Sequence, residues 1–469
     1  MDRISLDFIL KATGGELISG ARDSFVCGVA IDSRKIETDY LFVAIAGENT
    51  DGHAYIDSAS EKGASCALVS KDVEAEGISL VKVPDTVRAL QELSKEYLKT
   101  LPMKHIAVTG SVGKTTTRDL LYAAVSSVYK AGKNSGNFNN EIGLPLTIMS
   151  FDKTMNVGVM EMGTMGTLGE IDRLADIGRP DVAIITNIGV SHMETLGSRD
   201  NILKTKLEIT DYFTEDNALI VNVDDDKLSS LDEKDYVFRI IKVGTEKALK
   251  KPDYLVTKVK DNGLDGTSFT LSAGDEKYDV VLPIPGEHNA LNAALAIAGA
   301  KEMGVSIVDA ISGISNMVTT GSRLRIVDVS GFRIIDDSYN AAPASMKAAI
   351  KTLVSSDAKR RIAVLGDMNE LGTESKNMHF DVGRFVAESK IDVLVTVGKK
   401  ALWIAEGAEE ALSDEDGLKS VIRCTDAEEA FMELKEILKE GDLVLVKASR
   451  SMKLDELVKQ IESINILNN

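Results

Sequence analysis

Thr109-Gly110-Ser111-Val112-Gly113-Lys114-Thr115-Thr116 follows a strand-like run, His105-Ile106-Ala107-Val108, and precedes Leu120, Leu121, Ala124, Val125 and Val128 at helical spacing. A glycine turn between a strand and a helix is where a phosphate cradle must sit. Glycines let backbone N–H groups converge on anionic oxygens, and the helix N-terminus adds partial positive charge. Gly110, Ser111, Val112, Gly113 and Thr116 would form the cradle. Lys114 would reach the outer phosphates, and the Thr115 hydroxyl would bind magnesium. The longer Walker pattern has a glycine where Val108 stands, so this is the shorter GxxGKT form. An ordinary glycine-rich turn capping a helix is the competing reading, and the strand–loop–helix context favours phosphate. Alone, the motif says only nucleotide.

Working outward, the next buried-strand candidate ends in Met160-Glu161-Met162-Gly163, and the one after it in Thr186-Asn187-Ile188-Gly189-Val190-Ser191-His192. Side chains just past the carboxyl ends of parallel strands line the ligand crevice of an open sheet. Glu161 and His192 are therefore candidate magnesium ligands beside the loop, although oxygen is the preferred donor and a lone histidine more often caps or supports. Residues 200–213 read as a helix carrying Lys204 and Lys206, each a surface lysine by spacing alone.

The rest of the chain divides by pattern into three α/β segments, 1–101, 102–319 and 320–469. The first mixes short apolar runs such as residues 40–45 with a helical stretch near 87–98. The second adds buried strands near 157–160, 182–186 and 218–223, which alternate with helices as in a parallel sheet covered on both faces. Its text changes between about 254 and 283 to short strands broken by Asp261-Asn262-Gly263 and Ala273-Gly274-Asp275, an antiparallel elaboration. The third has apolar runs at 333–335, 362–365, 393–397 and 443–446, a second Rossmann-like open sheet.

A length of 469 residues also favours several domains. The formal net charge of −19 argues against a nucleic-acid surface. Cys27, Cys66 and Cys424 have no paired spacing, which excludes a disulfide framework or zinc site. No stretch approaches a membrane span, and the first residues carry acids rather than a signal peptide, so a cytoplasmic protein is expected.

The phosphate loop, Asn137-Phe138-Asn139-Asn140-Glu141-Ile142-Gly143-Leu144-Pro145, Glu161-Met162-Gly163 and residues 187–192 occur in the order found in the Mur ligases. Lys206-Leu207-Glu208 resembles the segment where these enzymes carry a carbamylated lysine. Gly286-Glu287-His288-Asn289-Ala290-Leu291-Asn292 is similar to their adenine-side segment, and the likeness spans nearly the whole chain. Asp336-Asp337-Ser338-Tyr339-Asn340-Ala341-Ala342-Pro343 resembles the DDSYNANP motif of the branch that adds a D-alanyl-D-alanine dipeptide, not the DYAHTP of the branch that adds one amino acid. Gly366-Asp367-Met368-Asn369-Glu370-Leu371-Gly372, His379 and Lys447-Ala448-Ser449-Arg450 fit the same branch. Ala342 stands for its second asparagine, and Ala448 for a glycine in KGS.

This resemblance implies ATP-dependent ligation of D-alanyl-D-alanine to a UDP-N-acetylmuramoyl tripeptide, with ATP and Mg2+ required and a monomer expected. It assigns Lys114, Glu161, His192 and Lys206 to catalysis, and Thr115, Glu161, His192 and carbamylated Lys206 to magnesium. His288, Asn289 and Asn292 would sit by adenine, with Arg323 and Asp337 reaching the nucleotide from the third segment after closure. Ser33, Arg34, Asp51 and His53 would recognise UDP, although short polar loops are equally explained as turns. Asn137, Asn139, Asn140, Ser338, Tyr339 and Asn340 would contact the other substrates. Two alternatives remain at this level: a ligase adding a single amino acid, and a non-ligating ATP-binding partner of a cell-wall complex. The sequence leaves open whether the tripeptide ends in lysine or diaminopimelate, and which group deprotonates the amine.

Overall fold

The computed structural model describes residues 1–47, 50–317, 324–412 and 417–464. Arg323 and the expected boundary at 319/320 lie outside the described residues. In the first α/β unit, Gly28–Ala30, Tyr40–Val43, Ala64–Val69 and Ser79–Lys82 run parallel, and Glu16–Ser19 pairs antiparallel at the edge. The helix Thr86–Leu98 starts where Asp85 accepts from the N–H groups of Val87 and Arg88. It buries Leu90, Leu93 and Tyr97, and the Tyr97 hydroxyl donates to the Phe151 carbonyl at 2.8 Å, joining this unit to the next.

The central sheet has nine strands. Seven are parallel in the order Ala131–Lys133, Val157–Glu161, Lys104–Thr109, Val182–Ile185, Ala218–Asn222, Arg239–Thr245, Tyr254–Asp261. Their near-continuous apolar runs suit a sheet buried on both faces. Ile106, Val108, Val159, Ile184 and Ile220 share a core with the helices Lys114–Ser126 and His288–Glu302, while Ala107, Met160, Ile185 and Leu219 belong to the core under Gly143–Ile148 and Glu170–Gly178. The antiparallel pieces, Thr267–Ala273 and Glu276–Leu282, extend this same sheet at its edge. Two expectations are corrected. Val128 lies beyond the helix end and is exposed. The 200–213 helix stops at Leu207 and becomes a 3₁₀ turn, Glu208–Thr210, where the Thr210 hydroxyl donates to the Leu207 carbonyl and offers the backbone a local alternative.

The third unit orders its six strands as Arg325–Val329, Phe332–Asp336, Asp442–Lys447, Arg360–Gly366, Val393–Val397, Ser420–Cys424, all parallel but the first. The two edge strands were not read from the sequence, because their residues are mostly half-exposed and carry no apolar run.

Both departures from the motif find a place. Ala342 is the N-cap of the helix Pro343–Ser355, so an asparagine here would accept a helix N–H, whereas Ala342 cannot. Ala342→Asn is expected to raise stability by about 0.5–2 kcal/mol, read as a shift of the urea midpoint at constant slope. An unchanged midpoint would count against the capping role. Ala448 is buried with an ordinary backbone, outside the left-handed region that would have required glycine.

Candidate active site

Lys104–Thr109 lies between Val157–Glu161 and Val182–Ile185, and the chain leaves it toward one side and returns on the other. That is the topological switch point of an open sheet, and three loops open there side by side. In the first, Gly110 has φ 141° and a Cβ would fall 2.1 Å from Thr186 Oγ1; Gly113 has φ 87° and a Cβ would fall 2.9 Å from Asn292 Oδ1. Both positions therefore require glycine. Asn187, quoted in the sequence without a role, braces the loop: its Oδ1 accepts from Val112 N at 3.0 Å, and its Nδ2 donates to Val112 O at 2.9 Å. Ser111 Oγ accepts from Gly189 N, and Thr116 is half-buried on the helix behind. Lys114 folds over the loop, donating to the carbonyls of Gly110 at 2.7 Å and Ser111 at 3.3 Å.

Glu161 ends the neighbouring strand and is 1% exposed. Its Oε2 accepts from the Thr115 hydroxyl at 2.7 Å and lies 3.2 Å from Arg118 Nη1, and its Oε1 accepts from Asn139 at 2.7 Å. Asn134, buried, holds the Glu161 backbone through both its N–H and its carbonyl. Arg118 and Asn134 were not singled out in the sequence. Arg118 stands four residues after Lys114 on the same helix, a spacing that places it on the same face and could have found it.

His192 follows the third strand with φ 62° and opens a short helix, Met193–Leu196. Its Nδ1 lies 2.9 Å from Oε2 of Glu370, a residue of the third unit. The His192 contact, helped by the nearby charge of Lys114, holds the Glu370 carboxyl below its usual range against the opposing effect of burial. Lys206 is 1% exposed, while Lys204 on the same helix is exposed. Burial first, and then the charge of Lys114, drives the Lys206 amine well below the ordinary lysine range, against the opposing pull of Glu170 and Glu208.

Among the described residues, no cluster of three His, Cys, Asp or Glu side chains forms a ready cage. A hydroxyl and a carboxylate oxygen converging at 2.7 Å on the phosphate loop are nonetheless hard donors that fit magnesium, which keeps several non-protein ligands. A bare amine at Lys206 does not fit it; a carbamate would.

The remaining candidates divide. Asn289 is buried with its Nδ2 on the Pro285 carbonyl and its Oδ1 accepting from Asn292, which abuts Gly113; His288 is exposed at the start of that helix. Asp337 pairs with buried Lys447, which also donates to the Asn340 carbonyl at 2.9 Å. Ser338 is buried and donates to Asp336, so its hydroxyl is committed within the fold, and Asn140 caps the Gly143–Ile148 helix end through Gly143 N. Tyr339 lies under Arg450, and Asn137 and Asn340 are exposed. In the first unit, Arg34 grips Asp32 through two nitrogens, and Ser33 is buried. His53 Nε2 accepts from Ser70 N at 2.9 Å, leaving Nδ1 to donate to Asp51 at 2.6 Å. Lys71 and His53 hold the Asp51 carboxyl well below its usual range. This group lies on the loops of the first unit's sheet, a different sheet from the one that carries the phosphate loop.

Three family models match in sequence: Mur ligase family, catalytic domain, over 26–105; Mur ligase middle domain over 108–300; and Mur ligase, glutamate ligase domain, over 322–450. The chain is 40% identical over 438 residues to the UDP-N-acetylmuramoyl-tripeptide--D-alanyl-D-alanine ligase of Bacillus subtilis (strain 168), covering 92% of this chain and 93% of that protein. It is similar to a crystal structure of MurF from Acinetobacter baumannii, with TM-score 0.87, 29% identity, and 99% and 100% of the two chains covered. A MurF ligase from Thermotoga maritima, solved in complex with ADP, has TM-score 0.77 at 28% identity, covering 93% and 97%.

Proposed function

The chain belongs to the Mur ligase family, and from that premise we propose that it joins D-alanyl-D-alanine to a UDP-N-acetylmuramoyl tripeptide at the expense of ATP. The dipeptide and the UDP-tripeptide come from the names of its relatives. The ligase chemistry rests on one observation above all. The phosphate loop, Glu161, His192 and a lysine buried against its charge converge at a single switch point.

A carboxylate is a poor acyl donor. The tripeptide's terminal carboxylate attacks the γ-phosphorus of ATP, giving an acyl phosphate and ADP. The dipeptide amine then adds to the acyl carbon, and inorganic phosphate leaves from the tetrahedral intermediate. The first step brings two anions together, so its barrier falls chiefly through positioning and charge neutralisation. Lys114 serves the outer phosphates, and the N–H groups of 110–116 hold the remaining oxygens. Arg118, Asn134 and Asn139 keep Glu161 oriented. Thr115 and Glu161 would hold one magnesium ion, and His192 with carbamylated Lys206 a second; bound magnesium neutralises phosphate charge. Asn289 and Asn292 serve the adenine side, and Asp337 the nucleotide from the third unit.

We assign the units to 1–101 for the UDP precursor, 102–319 for ATP and 320–469 for closure over both. No helix among the described residues is long and apolar enough to cross a membrane; we assign the reaction to the cytoplasm because it consumes ATP. Phosphate release measured with UDP-muramoyl tripeptides should depend on D-alanyl-D-alanine. Equal release without it, or greater release with single amino acids, would contradict this reading.

A further inference from the structure

The carboxylates around the phosphate loop are mostly committed to the protein itself. Glu161 serves Thr115, Arg118 and Asn139. Glu170 accepts from the Thr164 hydroxyl and from Met165 N at 2.6 Å. Glu208 accepts from Gly169 N at 2.8 Å and Asp172 N at 3.2 Å. Glu370 differs from all three. It reaches the site from the third unit, its side chain is 63% exposed, and its near neighbours are His192 and Lys114.

The backbone aims it deliberately. Glu370 has φ 63°, a strained conformation that a non-glycine residue keeps only where its surroundings impose it. Those surroundings are present. Asn369 N donates to Ser449 Oγ at 2.8 Å, Asn369 Oδ1 accepts from Lys400 at 2.7 Å, and Asn369 Nδ2 donates to Ser451 Oγ at 2.8 Å. One residue earlier, Met368 N donates to buried His379 Nε2 at 2.9 Å. A strained turn with this much bracing, ending in an exposed carboxylate, serves a ligand better than it serves stability. The loop also opens from the same sheet edge as residues 338–340 and 448–450, because Phe332–Asp336, Asp442–Lys447 and Arg360–Gly366 are adjacent parallel strands.

The ligation reading brings a cation to this place. A peptide amine has a pKa near 8 and arrives mostly as an ammonium, in a site whose Lys114 and Arg118 repel it. We propose that the Glu370 carboxylate binds the ammonium of the incoming D-alanyl-D-alanine, exchanging His192 for the substrate. The assignment rests on the ligation reading and adds a residue to it.

The test varies the dipeptide with ATP and UDP-muramoyl tripeptide saturating, in wild type, Glu370→Gln and Glu370→Asp. Glu370→Gln should raise the KM for the dipeptide by about tenfold or more, the scale of one charge-assisted hydrogen bond. Its kcat and its KM for ATP should stay near wild type, and Glu370→Asp should fall between. N-acetyl-D-alanyl-D-alanine has no ammonium, so it should inhibit wild type and Glu370→Gln with the same Ki. An unchanged dipeptide KM, an equal loss for the acetylated ligand, or a shift in the magnesium requirement instead would each overturn the assignment. A wild type that consumes no dipeptide would overturn the ligation reading, and this residue's role with it.

Discussion

Lys206→Ala is expected to lose about 10²–10³-fold in kcat, the range seen when one group that stabilises transition-state charge is removed. Formate or acetate should restore part of the loss. A lysine buried to this degree, with Lys114 close enough to disfavour its charge, is held toward the neutral amine. Only the neutral amine adds carbon dioxide, forming an N–C bond and releasing a proton to give a carbamate. The product replaces a cation with an oxygen-bearing anion suited to magnesium. An added carboxylate would fill the same anion site in the alanine variant. Lys206→Met, which retains most of the buried volume, separates loss of chemistry from loss of packing. It should melt near wild type and remain inactive. Lys204→Ala, on an exposed face of the same helix, should turn over normally. A carbamate carbon should appear in 13C NMR of wild type equilibrated with labelled bicarbonate and be missing from Lys206→Met. Wild-type activity in Lys206→Ala would return this residue to a packing role.

Lys114→Ala should reduce ligation by about 10³-fold or more, since the charge it delivers acts where phosphoryl transfer develops its own. The fold should survive. Lys114 is half-buried and donates to two loop carbonyls, while the core beneath it is built from Val108, Leu121 and Ala124. The loop geometry is held independently by Asn187 and by the two glycines. A melting curve within a few degrees of wild type, beside near-zero phosphate release, is the expected pair of results. Near-normal turnover would show that Lys114 does not serve the phosphates, whatever the loop resembles.

The sequence by itself determined the local objects. Strand, glycine turn and helix were legible at 105–125 because each has its own period and the turn needs residues that tolerate positive φ. Helix 86–98 and the buried strands were legible for the same reason, and Glu161 and His192 because strand ends in an open sheet face one crevice. Motif order carried the family. What depends on residues far apart in the chain was decided only by the tertiary structure. Lys206 and Lys204 look alike in sequence, and only the packing around their helix buries one and exposes the other. Asn134 and Asn187 are ordinary polar letters until parallel pairing sets them around Glu161 and the phosphate loop. Ser338 read as a substrate contact, yet the sheet turns its hydroxyl onto Asp336. Glu370 stands 178 positions beyond His192 and meets it at 2.9 Å across two units. Periodicity records which face of an element is apolar; burial, charge proximity and pairing between units arise from how those faces are brought together, and no local pattern encodes them.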